Sequence, residues 1–318
     1  DLALAIGTKL GDFTTGSWSN FHNPDFKLVS INAARFDVTK HRATPVVSDA
    51  KIGLRELTKK LDNWKAPANW YERARKEAKE WDQYVAKASG PTNQELPTYA
   101  HAVGAVYRNA DPSDVVVTAA GGLVGEAVQI WKPKQINTFE TEWGFSCMGY
   151  EISGALGMKM AKPDQDFIVF IGDGSYLLQN SDIYSSVIYE KKLIIIVCDN
   201  SGHMVINRLQ LAKGGKEYLC SFKSSRASNF VEIDFASHAA SMGAESETVT
   251  STSELEAAFL RAKKSKGTYV ISIKTHGYEW LEGTAFWESP TLEVPNTEGN
   301  KQAFKEFKEG KARQRKGV

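Results

Sequence analysis

The chain has 318 residues, 42% of them hydrophobic and 24% charged, with a formal net charge of +1. This is the composition of an ordinary globular protein long enough for two domains, and so small a net charge offers no broad field to favour nucleic acid or a membrane surface. The longest apolar runs, FIVFIG and LIIIVC, fall far short of a membrane span of about 20 residues. Three scattered cysteines, Cys147, Cys198 and Cys220, exclude a disulfide framework or a zinc site and read as free, buried thiols suited to a reducing cytoplasm.

In chain order, residues 1–62 alternate strand and helix signals. LALAIG and KLVSINA read as strands, and VVSDAKIGLRELTKKL as a short strand followed by an amphipathic helix. This is the pattern of an α/β domain with a parallel sheet. A parallel strand needs cover on both faces, so a chain that opens with one is expected to begin inside a domain, with an N-terminal portion before Asp1. Residues 63–95 are charged and helical in period, a linker helix. Its aromatic residues Trp64, Trp70, Tyr71 and Trp81 are expected to pack against a neighbouring domain.

Residues 96–275 form a second α/β domain. LPTYAHAVGAVYRNA is a helix and DVVVTAAGG a strand ending in small residues. GFSCMGYEISGALGMKMA is a turn running into a helix. DFIVFIGDGS is a strand, LLQNSDIYSSVIYE a helix and KLIIIVCDNSG a strand. DFASHAASMG and SELEAAFLRAKKS are helices, and TYVISIKT is a last strand. The fold class predicted is α/β with doubly wound parallel sheets. Residues 276–318 read as a basic, solvated tail without a nucleic-acid role. There is no repeat of solenoid period.

Three strand ends are chemically unusual. They carry Gly121-Gly122, Gly172-Asp173-Gly174-Ser175 and Asp199-Asn200-Ser201-Gly202. Ligands of open α/β sheets bind beyond the carboxyl ends of strands. Glycines there allow close backbone approach, and a helix starting after Gly174 would offer its N-terminus to a phosphate. Asp173 is a hard carboxylate ligand and Asn200 a neutral amide oxygen, a pairing that suits Mg²⁺ held together with phosphate oxygens. As isolated features these are also the chemistry of ordinary turns and caps. Gly-Asp-Gly followed by 24 residues and then Asp-Asn, each at the end of an apolar strand, is a far more specific signal.

That spacing resembles the thiamine diphosphate motif GDG-X(24–27)-N-N, with Asp199 where the first Asn would stand. The resemblance implies Mg²⁺ bound by Asp173, Asn200 and the main-chain carbonyl of Gly202, with Gly121, Gly122, Gly172, Gly174 and Ser175 around thiamine diphosphate. GFSCMGYEISGALG is similar to the family's G-x-x-x-M-G-x-x-x-x-G-A-x-G segment, which gives Met148 the role of supporting the bent cofactor; plain core packing is the alternative. By the same resemblance residues 1–62 are the later half of the family's central domain, and residues 96–275 its diphosphate-binding domain.

Within the family, residues 142–164 and 172–202 are most similar to the inositol-catabolic hydrolases. That branch opens a trihydroxycyclohexane-1,2-dione at a carbon–carbon bond to give 5-deoxyglucuronate. Acetohydroxyacid synthase-like and 2-oxoacid decarboxylase-like activities share the same metal motif and remain alternatives, as does a non-catalytic cofactor-binding fragment. The family's activating Glu belongs to an N-terminal pyrimidine-binding domain that nothing in this sequence matches. Glu140, Glu142 and Glu151 are therefore read as surface or supporting groups. The resemblance also implies a homo-oligomer with the site between subunits. His203, directly after the metal loop, is a candidate acid–base group for the substrate or a loop histidine with a structural hydrogen bond. His22 and His101 read as structural.

Overall fold

A computed structural model of the chain describes residues 1–142, 144–224, 229–283 and 285–315. Two compact units divide it. One comprises Asp1–Arg75, Ala212–Gly215 and the segment from Glu282 onward; the other comprises Lys76–Leu211 and Lys216–Leu281. These lines differ from the sequence-based segments: the first division falls inside a helix, and the C-terminal segment groups with the N-terminal residues.

In the first unit β1 (Leu2–Ile6), β2 (Lys27–Asn32) and β3 (Thr44–Val47) form a parallel sheet in that order. Two single-turn helices, α1 (Asp12–Thr15) and α2 (Arg35–Val38), fill the connections, and α3 (Ala50–Leu61) follows β3. The Asp49 carboxylate caps α3 by accepting the Ile52 N–H at 3.1 Å. Ala5, Leu10, Trp18, Leu28 and Ala43 make a small core.

Helix α4 (Ala68–Ala88) carries the division between the units. Trp64, Trp70 and Tyr71 are exposed, contrary to the expectation that they pack. The charged run Glu72, Arg73, Arg75, Lys76 and Glu77 keeps that end of the helix at the surface. Only the far end is drawn in: Val85 is buried, with Tyr84 and Ala88 packed beside it.

The second unit runs α5 (Tyr99–Asn109), β4 (Val115–Thr118), α6 (Gly121–Ile130), β5 (Phe139–Thr141), α7 (Tyr150–Ala161), β6 (Phe167–Gly172), α8 (Asp173–Leu178), α9 (Asp182–Ile188), β7 (Ile194–Asp199), α10 (Met204–Ala212), α11 (Phe235–Ser241), β8 (Glu245–Val249), α12 (Thr252–Lys264) and β9 (Tyr269–Lys274). Its six strands are all parallel, in the order β5-β4-β6-β7-β9-β8. Alternate residues feed opposite faces, as the strand period demands. Ile168, Phe170, Ile194, Ile196, Ile271 and Ile273 join α5, α6 and α12 on one side. Phe167, Val169, Ile171, Ile195, Val197 and Val270 join α7, α9 and α11 on the other. The predicted doubly wound α/β sheet is what forms.

The C-terminal segment is not merely a solvated tail, because α13 (Glu298–Ala312) has an apolar face. Ala303 and Gly310 are buried, and Phe307 lies 6.4 Å from the Phe286 ring. Arg315 donates to the Phe26 carbonyl at 3.0 Å within the same unit. Spacing of Ala303, Phe307 and Gly310 by four and three residues puts them on one helical stripe.

Candidate functional site

Strands β4, β6 and β7 lie side by side, so the three unusual strand ends meet at one edge of the sheet. A cavity of about 220 Å³ opens there. Of the residues expected to hold metal or cofactor or to act on substrate, all but Asn200 line it: Gly121, Gly122, Met148, Gly172, Asp173, Gly174, Ser175, Gly202 and His203. Asn200 lies on a second cavity of about 370 Å³ on the other side of the loop.

Asp173 is the centre of this edge. It is buried, and its Oδ1 accepts the Gly174 N–H at 2.7 Å while Oδ2 accepts the Gly202 N–H at 2.9 Å. One carboxylate therefore ties the end of β6 to the loop after β7. Burial pushes its pKa well up, and the neighbouring Asp199 carboxylate pushes it further.

The loop after β7 is held from both sides. Asp199 Oδ1 accepts the Ser201 N–H at 2.8 Å, and Ser201 takes a left-handed φ of 60°. Ser201 and His203 are braced by residues 220–222: Phe222 N–H donates to the Ser201 carbonyl at 2.8 Å, and His203 N–H to the Cys220 carbonyl at 2.8 Å. At Gly202 a Cβ would lie 2.4 Å from the Cys220 carbonyl oxygen, so only glycine fits. Asn200 donates from Nδ2 to the Tyr99 hydroxyl at 2.7 Å. Its Oδ1 is buried with no hydrogen-bond partner.

The glycines at the other strand ends divide by purpose. Gly121 opens α6 with a φ of 83° and open space where a Cβ would be, as expected of a close-approach position. Gly122 instead makes room for Trp280, whose ring would lie 2.1 Å from a Cβ. Gly174 is covered by His203, whose ring would be 2.6 Å from a Cβ, with the Met148 methyl at 3.5 Å. Met148 and His203 thus stand together on the cavity wall. Met148 is partly exposed and is not the plain core residue of the alternative reading. The helix foreseen after Gly174 is only the single turn and a half of α8, which begins at Asp173 itself. α6 is the longer helix starting at this edge.

The glutamates divide between the two readings. Glu151 is buried and takes a supporting position. Its Oε2 accepts the Gly149 N–H at 2.8 Å and its Oε1 the Ala120 N–H at 3.4 Å, joining the starts of α7 and α6. Burial raises its pKa. Glu142 is partly exposed and accepts the Phe145 and Cys147 N–H groups, both at 2.8 Å; those two bonds lower its pKa. Glu140 sits partly buried on β5. Cys198 and Cys220 are buried and free as read, whereas Cys147 is exposed. His22 and His101 take structural positions: His22 Nδ1 lies 3.2 Å from the Ser19 carbonyl, and His101 closes a capping box with Thr98 at the start of α5.

Several residues of the site escape motif reading. Tyr99 meets Asn200 across 101 residues of sequence, Glu151 meets Ala120 across 31, and Lys274 meets Asp199 through strand register. Glu126 is another, buried in α6 with Oε1 accepting the Leu281 N–H at 3.0 Å. Its one sequence signal is a carboxylate among the buried Leu123, Ala127 and Ile130 of an otherwise apolar helix. Among the described residues no cluster of three or more His, Cys, Asp or Glu could hold a metal, and no helix is long and apolar enough to cross a membrane. A metal at this edge would draw on one carboxylate, an amide oxygen and a main-chain carbonyl.

Comparison with known proteins agrees with this chemistry. Residues 119–273 match the family described as thiamine pyrophosphate enzyme, C-terminal TPP binding domain. The chain is 34% identical to the 3D-(3,5/4)-trihydroxycyclohexane-1,2-dione hydrolase of Halalkalibacterium halodurans, over 96% of this chain and 52% of that protein. It is 33% identical to the same-named protein of Lacticaseibacillus casei, over 98% of this chain and 52% of that one. The chain thus spans about half the length of the curated relatives it matches. Among solved structures, a thiamine diphosphate-dependent 4-hydroxybenzoylformate decarboxylase of Rhodococcus jostii RHA1 superposes with a TM-score of 0.65 at 14% identity, covering 88% of this chain and 49% of that one. That likeness concerns the fold.

Proposed function

We propose that the strand-end cavity is a Mg²⁺–thiamine diphosphate site serving hydrolytic ring opening of a trihydroxycyclohexane-1,2-dione, since residues 119–273 match the C-terminal TPP binding domain of the thiamine pyrophosphate enzymes. The observation that carries the cofactor reading is the β6–β7 edge: Asp173, a buried carboxylate on the cavity, bridges the two strand ends, and Asn200, two residues before the Gly202 that Asp173 holds, keeps a buried amide oxygen without a partner. Buried polar atoms are rarely left unpaired without a reason, and a hard cation supplies one. The residues present fit the group. Asp173, Asn200 and the Gly202 carbonyl would hold the metal, and the open backbone at Gly121 gives a diphosphate room to approach. The similarity to the hydrolases over nearly the whole chain supports the substrate.

Thiamine diphosphate, when bound, supplies a nucleophilic carbon and an electron sink for breaking a bond next to a carbonyl. The chain's own residues supply the setting. Gly174 lets the Met148 and His203 side chains close over the backbone, so Met148 offers an apolar support. His203, at an exposed position on the cavity rim, is the group able to give or take a proton at the substrate's oxygen. Buried Glu151 and Glu126 accept backbone N–H groups. By the resemblance to the thiamine diphosphate enzymes, the carboxylate that activates the cofactor's aminopyrimidine belongs to a pyrimidine-binding domain that no segment of residues 1–318 matches, in a homo-oligomer whose site lies between subunits. A cytoplasmic location accords with three free thiols.

The test is substrate discrimination. With Mg²⁺ and thiamine diphosphate, the chain assembled with the family's pyrimidine-binding domain is incubated with the cyclic dione and, separately, with pyruvate; residues 1–318 alone are expected to turn over neither. Ring opening of the dione without turnover of pyruvate is expected. Decarboxylation or condensation of pyruvate in its place would assign the site to the 2-oxoacid branch.

A further inference from the structure

The carboxyl ends of three neighbouring strands carry charges in register. Gly172 pairs with Cys198 across β6 and β7, which sets Asp173 and Asp199, the next residue of each, side by side. Asp199 in turn pairs with Lys274 across β7 and β9. Lys274 Nζ lies 2.6 Å from Asp199 Oδ2, and the Asp199 side chain is only 5% exposed. On its outer side Lys274 also contacts the exposed carboxylate of Glu232. The other Asp199 oxygen holds the Ser201 N–H and with it the turn that presents Asn200 and Gly202.

Two carboxylates buried side by side repel each other, and leaving one of them unpaired is costly. We infer that Lys274 is a positioning residue for the metal loop. Its ammonium offsets the buried Asp199 charge, with Glu232 as its exposed outer partner, so Asp173 is the buried carboxylate left to a cation. Asp199 is thereby free to act as a backbone anchor. An aspartate at position 199 and a lysine at 274 form one unit: Asp199 without Lys274 leaves a buried charge unpaired and lowers the stability of the metal-free protein, and Lys274 without Asp199 repels the cation. This inference rests on the Mg²⁺–thiamine diphosphate reading of the cavity.

The experiment is thermal unfolding of the wild-type protein, Lys274→Met, Asp199→Asn and the double variant, each with and without MgCl₂ in the presence of thiamine diphosphate. Without metal, Lys274→Met lowers the Tm and adding Asp199→Asn restores it. The Mg²⁺-dependent rise in Tm follows the local charge. It is largest in Lys274→Met, equal in wild type and double variant, and smallest in Asp199→Asn. Apparent Mg²⁺ affinity in Asp199→Asn weakens about tenfold or more, the scale of residues that support metal ligands. A merely structural ion pair would shift the baseline Tm and leave the metal-dependent rise alike in all four proteins. That outcome overturns the inference, as does a double variant no closer to wild type than Lys274→Met. Should Lys274→Met fail to fold, Asp199→Asn and the double variant carry the comparison, with Lys274→Arg expected to match wild type. A wild-type protein that gains nothing from Mg²⁺ would refute the metal reading itself and this inference with it, whereas a gain shared equally by every variant refutes the inference alone.

Discussion

The six-stranded and three-stranded sheets hold the same kind of residue in different surroundings. From Phe167 to Ile171 in β6 and from Ile194 to Cys198 in β7 the side chains are shut off from solvent. In the other sheet Leu2 is 60% exposed and Val47 54%. The difference lies in cover. Helices on both faces of the larger sheet bury alternate residues of each strand in separate clusters, while β3 is exposed along its whole length. Two covered faces make strands whose ends are fixed, and fixed ends can hold buried carboxylates such as Asp173 and Asp199 at defined positions.

That comparison is most directly broken by deleting matched side chains. Ile196→Ala, in the middle of β7, is expected to cost about 2–5 kcal/mol because a cavity opens where nothing can collapse into it. Val46→Ala on β3 should cost under about 1 kcal/mol, as befits an exposed strand position. Urea unfolding of both variants reads the difference, and equal losses would mean that the two sheets are equally packed.

The two units should also respond to pH with opposite sign. Burial raises the Glu126 pKa from 4.5 to about 7. The folded protein therefore holds a proton that the unfolded chain has released, and stability falls as pH rises from about 4.5 to 7. The full swing is on the order of 3 kcal/mol. Glu126→Gln should flatten that slope. In the first unit His41 is lowered from 6.5 to about 4, by burial first and then by Arg315 and Lys40. Here the unfolded chain binds the extra proton, so stability falls as pH drops from 6.5 toward 4. His41→Gln should remove that loss, a smaller effect because the ring is only partly buried. Stability curves of the two variants between pH 4 and 8 check both signs; slopes of the same sign would contradict the assignment.

How far the sequence reveals this molecule depends on where each signal is stored. β6 and β7 are legible because continuous apolar runs end abruptly in GDG and DNSG, and these motifs place Gly172, Asp173, Gly174 and Gly202 on the cavity wall. β5 and β8 are not, since FET and ESETV are short, polar edge strands with no apolar run to betray them. The stretch read as one helix after Gly174 breaks into α8 and α9 at Gln179–Ser181, where Asn180 Nδ2 donates to the Tyr176 carbonyl at 3.1 Å. Side chains such as Asn are prone to compete with helical bonding in this way. Lys274 was out of reach because its partner Asp199 lies far along the chain. Sheet register, not sequence spacing, sets Lys274 against Asp199. The α13 helix was hidden by its charge, which masks the stripe of Ala303, Phe307 and Gly310.

Calorimetric titration of thiamine diphosphate into wild type and Asp173→Ala, each with and without Mg²⁺, tests most directly whether the ends of β6 and β7 form a metal–diphosphate site. Wild type should bind only when Mg²⁺ is present. Asp173→Ala should lose more than about 100-fold in affinity, beyond the range seen for groups that merely support a ligand, with its circular dichroism unchanged. Binding by Asp173→Ala with wild-type affinity and wild-type Mg²⁺ dependence would contradict the account.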